Sequence, residues 1–387
     1  MGAPPSRRSR RGSIGDVLER SSRRVVDVLI VGAGVVGCAL ASVLARGHKK
    51  VAVLEREKAE GRGVTSRNSG VIHSGIYNRP GTRKSRSCLR GRELLYRWCE
   101  SKDVPHRRTG KLILAREDAE LEALEGLSSR GEALGVACEL VTAARAAQLE
   151  PALASGLPLA ALWVPDAGIV DPHALCRSYR VDAEAHGAFF ATQASVDAIE
   201  VHPDRAIVRS TRGPLDARIV INAAGLDADR IAAMAGLKRP VLPCRGDWFR
   251  LVGAPNYQRL VYPAPSTRAT GGLGIHLTLE LDGALRMGPD AQWVLDKDDF
   301  RPAEDKHAAF LEATRRLLGL EIAPEQLRYD GCGIRPKRHG PNEPAADFEI
   351  LATERCIHLL GIESPGLTAA RALAEEVASH LGVRATV

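Results

Sequence analysis

The sequence predicts an α/β protein made of two interleaved parts, each assembled from separate stretches of chain. Three observations predict it. Residues 27–55 read strand, glycine-rich turn, helix, strand; the last fifty residues return to a strand, a small-residue loop and a helix; residues 241–289 are a run of short strands. The first two patterns belong to a parallel sheet with crossover helices, the third to a mixed sheet. A chain of 387 residues is long enough for two such units.

Asp27-Val-Leu-Ile-Val31 is an apolar run of strand length, and Gly32-Ala-Gly-Val-Val-Gly37 fits G-x-G-x-x-G. Residues 38–46 continue as an Ala-rich helix, and 51–54 form a second strand ending on Glu55. Gly32 lets the chain turn out of the strand, Gly34 removes the Cβ that would block a pyrophosphate, and Gly37 lets the helix pack closely on the sheet. The helix N-terminus then offers unpaired N–H groups and a positive dipole end to phosphates. Glu55, 18 residues beyond Gly37, is placed to accept hydrogen bonds from a ribose diol. In this order the parts make a Rossmann-like dinucleotide site, with FAD and NAD both open.

Composition bounds the rest. Hydrophobic content of 44% with 26% charged residues is that of a soluble globular chain, and no apolar run approaches the ~20 residues that span a bilayer. The net charge of +7 is mostly local, because residues 1–24 hold seven arginines against Asp16 and Glu19. That leaves +5 in this leader and +2 elsewhere, so the body is not read as nucleic-acid binding. The leader has no apolar core of a secretory signal; a disordered tail, a mitochondrial-type transit peptide and an upstream start codon remain open. The compartment is accordingly read as cytoplasmic, with mitochondrial as the alternative. Eight cysteines show no C-x-x-C pair, which suggests reduced thiols and no metal framework; Cys38 and Cys176 fall in segments expected to be buried.

Beyond Glu55, Thr65-Ser-Arg-Asn-Ser-Gly-Val-Ile-His-Ser-Gly-Ile-Tyr77 lets backbone pass close to a ligand while Arg67, Asn68, Ser69 and His73 offer donors. Helices are expected at 84–102, 117–135 and 142–149, with a strand at 109–115. Strands follow at 161–164 and 168–170, and a helix opened by Pro172 runs to about 186. Strands at 188–191, 196–201, 206–210 and 217–222 come next, the last leading into Asn222-Ala-Ala-Gly225, where small residues again allow close approach to a cofactor. The second part is read as strands 247–252, 260–263, 273–279 and 285–288 and a helix over 301–318. Gly331-Cys-Gly-Ile-Arg-Pro-Lys337 is read as a loop with two cationic side chains. Strands at 348–351 and 357–361 precede Glu363-Ser-Pro-Gly-Leu-Thr368, which opens a helix over 369–381 and makes a second phosphate- or flavin-directed site.

Six ordered motifs carry a family resemblance: 28–37, Arg67-Asn-Ser-Gly-Val-Ile-His-Ser-Gly-Ile-Tyr77, Gly110-Lys-Leu-Ile113, Gly274-Ile-His-Leu-Thr278, Gly333-Ile-Arg-Pro-Lys337 and Gly361-Ile-Glu-Ser-Pro-Gly-Leu-Thr368. Together they resemble the L-2-hydroxyglutarate dehydrogenase/oxidase family of D-amino-acid-oxidase-like FAD oxidoreductases, over residues 27–381. The resemblance implies FAD rather than NAD. It also implies an FAD domain of residues 25–105, 171–240 and 330–387 interleaved with a substrate domain of 106–170 and 241–329. The implied reaction oxidises a short 2-hydroxy acid, L-2-hydroxyglutarate to 2-oxoglutarate, by hydride transfer to flavin N5. Asn78, where the family often has a second tyrosine, and Asp247, where glutamate is usual, depart from the pattern.

The chemistry needs a base for the hydroxyl proton and cations for the carboxylates. His73 and His276 are the candidate bases, and Arg335, whose planar fork pairs bidentately with a carboxylate, is the candidate clamp. Tyr77, Thr278 and Lys337 are further substrate candidates, while Glu363 is read as a helix-terminus residue. Cofactor contacts are expected at Gly32, Gly34, Val36, Gly37, Glu55, Arg56, Arg67, Asn68, Ser69, Val196, Ala224, Gly225, Gly333, Ser364, Pro365, Gly366, Leu367 and Thr368, with no metal. The implied partners are the 2-hydroxy acid and an electron acceptor, whether oxygen, a quinone or an electron-transfer flavoprotein; peripheral membrane association and oligomeric state stay open. Two alternatives stand beside this reading: an amino-acid or glycerol-3-phosphate oxidoreductase of the same superfamily, and an FAD-binding electron-transfer subunit. Removing residues 1–24 should leave flavin content and turnover unchanged, because the first strand begins near Asp27; flavin absorbance and activity of the truncated protein check this.

Overall fold

A computed structural model describes residues 25–47, 49–153, 158–265 and 273–383; the leader 1–24 lies outside the described residues. Val26–Val31 (β1) and Val51–Leu54 (β2) are almost wholly apolar, and Val35–Arg46 (α1) crosses between them. The two strands pair in parallel from Val28 opposite Val51 to Val31 opposite Leu54. On the other side of β1, the strand Gly213–Asn222 runs parallel with Val26 opposite Ala217 and Val31 opposite Asn222. Cys356–Leu360 joins that strand in parallel and Phe189–Ala191 joins β2, so the beginning, middle and end of the chain share one parallel core. Three antiparallel strands, Val196–Val201, Ala206–Ser210 and Glu349–Ala352, bring the sheet to eight.

Strands covered on both faces must be continuously apolar, and β1 and β2 read so. The cover on one face is α1, buried along nearly its whole length against the helices Pro172–Ala185 and Gly366–His380. At its start Gly32 adopts φ +101, and a Cβ on Gly37 would collide with the Gly32 carbonyl oxygen. The turn therefore folds directly under the first turn of the helix. Cys38 and Cys176 are buried here with their Sγ atoms 3.6 Å apart, and the cysteines of the described residues are all free.

Among the described residues the second sheet has nine strands, largely antiparallel. Its backbone is the pairing of Leu242–Leu251 with Leu327–Lys337, from Leu242 opposite Lys337 to Leu251 opposite Leu327. The stretch 331–337, expected as a loop, is thus the second half of a strand. Gly331, with φ +109, sits at a register shift opposite Trp248, Gly333 passes so close to the Arg67 carbonyl that a Cβ would collide with it, and Pro336 lies opposite Pro243, a rung with no N–H on either side. The residues that punctuate like a turn are those that a bulged, closely packed strand requires. The expected domain boundary at 330 falls inside this strand, and the strand expected to begin at 247 begins at Leu242 because this partner runs the full length.

Two further expectations shorten. The strand read over 273–279 pairs only at Leu277–Leu279, and the helix read over 301–318 starts at His307 after Pro302 and a tight turn at Glu304–Lys306. A small sheet of Val71–Ile72, Gly168–Val170 and His106–Arg107 joins the two parts. Among the described residues no helix is long and apolar enough to cross a membrane. Gly37→Ala should cost about 1–3 kcal/mol of stability through overpacking against the turn; thermal unfolding of the variant measures it.

Candidate active site

The C-terminal ends of the parallel strands open onto a cleft of about 980 Å³, with Val31, Leu54, Ala223 and Leu359 on its floor. Lys111, Trp248, Tyr262 and Arg335 of the second sheet form the opposite wall. A crevice outside the carboxyl ends of a parallel sheet is where open α/β folds bind ligands.

Of the residues expected at the cofactor, Gly32, Gly34, Val36, Glu55, Arg56, Arg67, Asn68, Ser69, Val196, Ala224, Gly225, Gly333, Ser364, Pro365, Gly366 and Leu367 line this cleft. Gly37 and Thr368 do not. Gly37 lies beneath the Gly32 carbonyl, and Thr368 is fully buried, its Oγ1 accepting from His73 N–H at 3.0 Å. Glu55 braces the turn as well as facing the cleft: Oε2 accepts from Ala33 N–H at 2.7 Å and Oε1 from Glu57 N–H at 2.9 Å. Val35 N–H donates to Thr65 Oγ1 at 3.0 Å, and Asn68 holds its own loop through Thr65 O and Gly70 N–H. A Cβ on Gly34 would already lie 3.3 Å from Thr65 Oγ1, so that side of the turn is closed and the cradle opens toward the cleft. A glycine-floored turn at one helix N-terminus, with the loop 363–366 at another, fits a dinucleotide such as FAD.

At the other end His73, His276, Tyr77 and Arg335 line the same cleft. His73 is half-buried, with Nε2 3.2 Å from Ser364 Oγ. His276 is buried, and its Nδ1–H donates to Gly274 O at 2.7 Å, leaving the lone pair on Nε2. Burial first, then the charge of Lys111, pushes the pKa of His73 down to about 3. His276 reaches about 3 by burial, against the lift of its bond to Gly274 and with help from Lys111 and Arg335. Both imidazoles are therefore neutral at physiological pH. The Arg335 guanidinium donates to Asp290 O at 2.9 Å, and among the described residues no carboxylate lies within 4.0 Å of it.

Two expected substrate residues are placed otherwise. Lys337 lines the cleft, but its Nζ is 2.9 Å from Glu363, which also meets Lys84 at 2.7 Å. Burial would raise the Glu363 pKa, yet the two ammonium groups outweigh it and hold the carboxyl below its ordinary value. Lys337 is thus tied to an acid that it shares with Lys84. Thr278 is buried away from the cleft, its hydroxyl donating to Arg286 O at 3.3 Å. Asp247 is locked behind the wall by Arg245, Lys306 and Tyr329, whereas Asn78 does line the cleft.

Sequence reasoning missed Lys111 and Tyr262. Lys111 is 1% exposed, and its Nζ sits 3.8 Å from the centre of the Tyr262 ring, which in turn stacks on His276 at 3.8 Å. The available signal was a single lysine in the otherwise apolar, fully buried strand Lys111–Ala115.

The FAD dependent oxidoreductase family model (DAO) matches residues 27–380. The chain belongs to this family. FAD is accordingly its cofactor, and the chain is an oxidoreductase. Its curated relatives include a mitochondrial L-2-hydroxyglutarate dehydrogenase of Arabidopsis thaliana, 33% identical over 93% of this chain and 84% of that protein. L-2-hydroxyglutarate dehydrogenase of Escherichia coli K12 is 28% identical over 92% of this chain and 93% of that protein. Among solved structures, L-alpha-glycerophosphate oxidase of Mycoplasma pneumoniae with FAD bound matches with TM-score 0.85 and 25% identity, over 94% of this chain and 96% of that one. Glycine oxidase of Geobacillus kaustophilus, at TM-score 0.79 and 22% identity, covers 94% and 96% and shares the fold. In this family member, Gly34→Val should abolish most FAD binding, since its Cβ is already tight against Thr65 Oγ1 and the added methyls crowd the turn that would cradle the pyrophosphate; the flavin-to-protein absorbance ratio of the purified variant is the check.

Proposed function

We propose that the protein oxidises L-2-hydroxyglutarate to 2-oxoglutarate. The observation that carries this is Arg335, a cleft-lining guanidinium with no carboxylate partner among the described residues, beside two neutral imidazoles. A guanidinium held by carbonyl oxygens but without a carboxylate partner suits a substrate carboxylate, and an unprotonated imidazole suits removal of a hydroxyl proton. The family's relatives that carry the name L-2-hydroxyglutarate dehydrogenase cover most of both chains, which supports the choice of acid.

Bound FAD would supply the acceptor for the hydride leaving C2. Arg335 holds one substrate carboxylate and so fixes which face of C2 is presented. His73 takes the hydroxyl proton; its ties through Ser364 and Thr368 to the loop at the flavin-directed helix terminus support this assignment. Its low pKa in the free site keeps it unprotonated, and a bound dianion raises its affinity for the proton. A second reading gives this step to His276, favoured by the tautomer that Gly274 O imposes on it.

His73→Asn should slow flavin reduction by about 10²–10⁴-fold with substrate affinity nearly unchanged. Arg335→Lys keeps the charge but loses the fork, so binding should weaken and transition-state stabilisation fall by about 2–4 kcal/mol. Anaerobic stopped-flow reduction by L-2-hydroxyglutarate separates the readings: a fast His73→Asn enzyme beside a slow His276→Asn enzyme moves the base to His276.

A further inference from the structure

Lys111 is the residue of the cleft that no role above absorbs. It lies in a strand buried at every position, and no carboxylate stands within 4.0 Å of its Nζ among the described residues. Its near neighbours are rings: Tyr262 at 3.8 Å and Tyr77 at 5.4 Å. The hydroxyls of both tyrosines are buried without a hydrogen-bond partner. An ammonium taken out of water without an anion is costly, and two orphaned hydroxyls beside it add to that cost. An anion with acceptor oxygens would meet all three groups at once.

We propose that Lys111 holds one of the substrate's two carboxylates and Arg335 the other, with the Tyr77 and Tyr262 hydroxyls donating to the Lys111-bound group. The proposal rests on the dicarboxylate reading above and extends it. Lys111 and Arg335 line the same cleft as His73 and His276, and the charge of each reaches His276. Specificity for a diacid follows from the match in charge count: a monocarboxylate leaves one buried cation unmet. Lys337, the other lysine on this wall, is already tied to Glu363, which it shares with Lys84.

The pH dependence follows. Burial lowers the Lys111 pKa to about 7, slightly offset by Cys88. The other titratable groups facing it stay silent from pH 7 to 9: His73 and His276 sit near 3, Cys88 is pushed up to about 12, and Tyr77 and Tyr262 are raised above their ordinary value. A carboxylate on Lys111 favours the ammonium, so above pH 7 diacid binding takes up one proton and affinity falls as pH rises, by about tenfold per unit.

Calorimetric titration of the oxidised holoenzyme with glutarate and with butyrate, at pH 7 to 9 in buffers of different ionisation enthalpy, tests this. The wild type should bind glutarate more tightly than butyrate and take up close to one proton with glutarate. In Lys111→Met, glutarate affinity should fall by about thirtyfold or more, the low end for losing one partner of a buried charge pair, with butyrate little changed and proton uptake gone. Lys111→Arg should keep the preference for glutarate without the uptake. A flavin-loaded Met variant that binds glutarate as tightly as wild type, or a wild type that binds butyrate as tightly as glutarate, overturns the role of Lys111 alone. A wild type that binds neither acid overturns the dicarboxylate reading itself. Should the Met variant lose its flavin, the wild-type preference for glutarate over butyrate still decides.

Discussion

The parallel pairing of β1 with Gly213–Asn222 is the contact on which the rest depends. It joins the glycine turn that follows β1 to the small-residue loop Ala223–Gly225 that follows its partner, and a Cβ on Gly32 would lie 2.7 Å from the Ala223 carbonyl oxygen. Because Cys356–Leu360 then adds to the same strand, the 363–366 loop arrives at the same edge. Three loops far apart in sequence thus converge on one cleft, by the rule that parallel strands deliver their C-terminal ends to the same side.

Electrostatics divides that cleft. Near the 363–366 loop, Glu363 neutralises part of the charge of Lys84 and Lys337, a buried pairing that orders the wall. Across from it, Arg335 and Lys111 meet no carboxylate among the described residues; burial first holds both imidazoles down, Lys111 adds to this at each, and Arg335 at His276. On the proposed reading, a neutral, weakly basic histidine becomes a competent base when a bound dianion brings negative charge beside it. Binding and activation of the base are in this way one event.

Legibility in the sequence followed how local the cause was. The apolar run of β1, the glycine spacing and the Ala-rich α1 are decided by neighbours within a few residues, and the strand at Leu260–Pro263 was readable for the same reason. Leu327–Lys337 was not, because its glycines and proline answer to Arg67, Trp248 and Pro243 on other segments. Most positions read as cofactor-facing do line the cleft, since small residues and helix termini announce themselves. Charge pairing was not: that Lys337 is spent on Glu363 while Lys111 is unspent, and that Thr278 turns toward Arg286, are facts of tertiary packing.

The central claim is that this family member's cleft is built for a 2-hydroxy diacid. Anaerobic mixing of the holoenzyme with L-2-hydroxyglutarate, L-glycerol 3-phosphate, glycine and L-proline, followed by flavin absorbance, tests it most directly. Rapid bleaching by L-2-hydroxyglutarate alone is the predicted result; bleaching by glycerol 3-phosphate or an amino acid, with L-2-hydroxyglutarate inert, would contradict it.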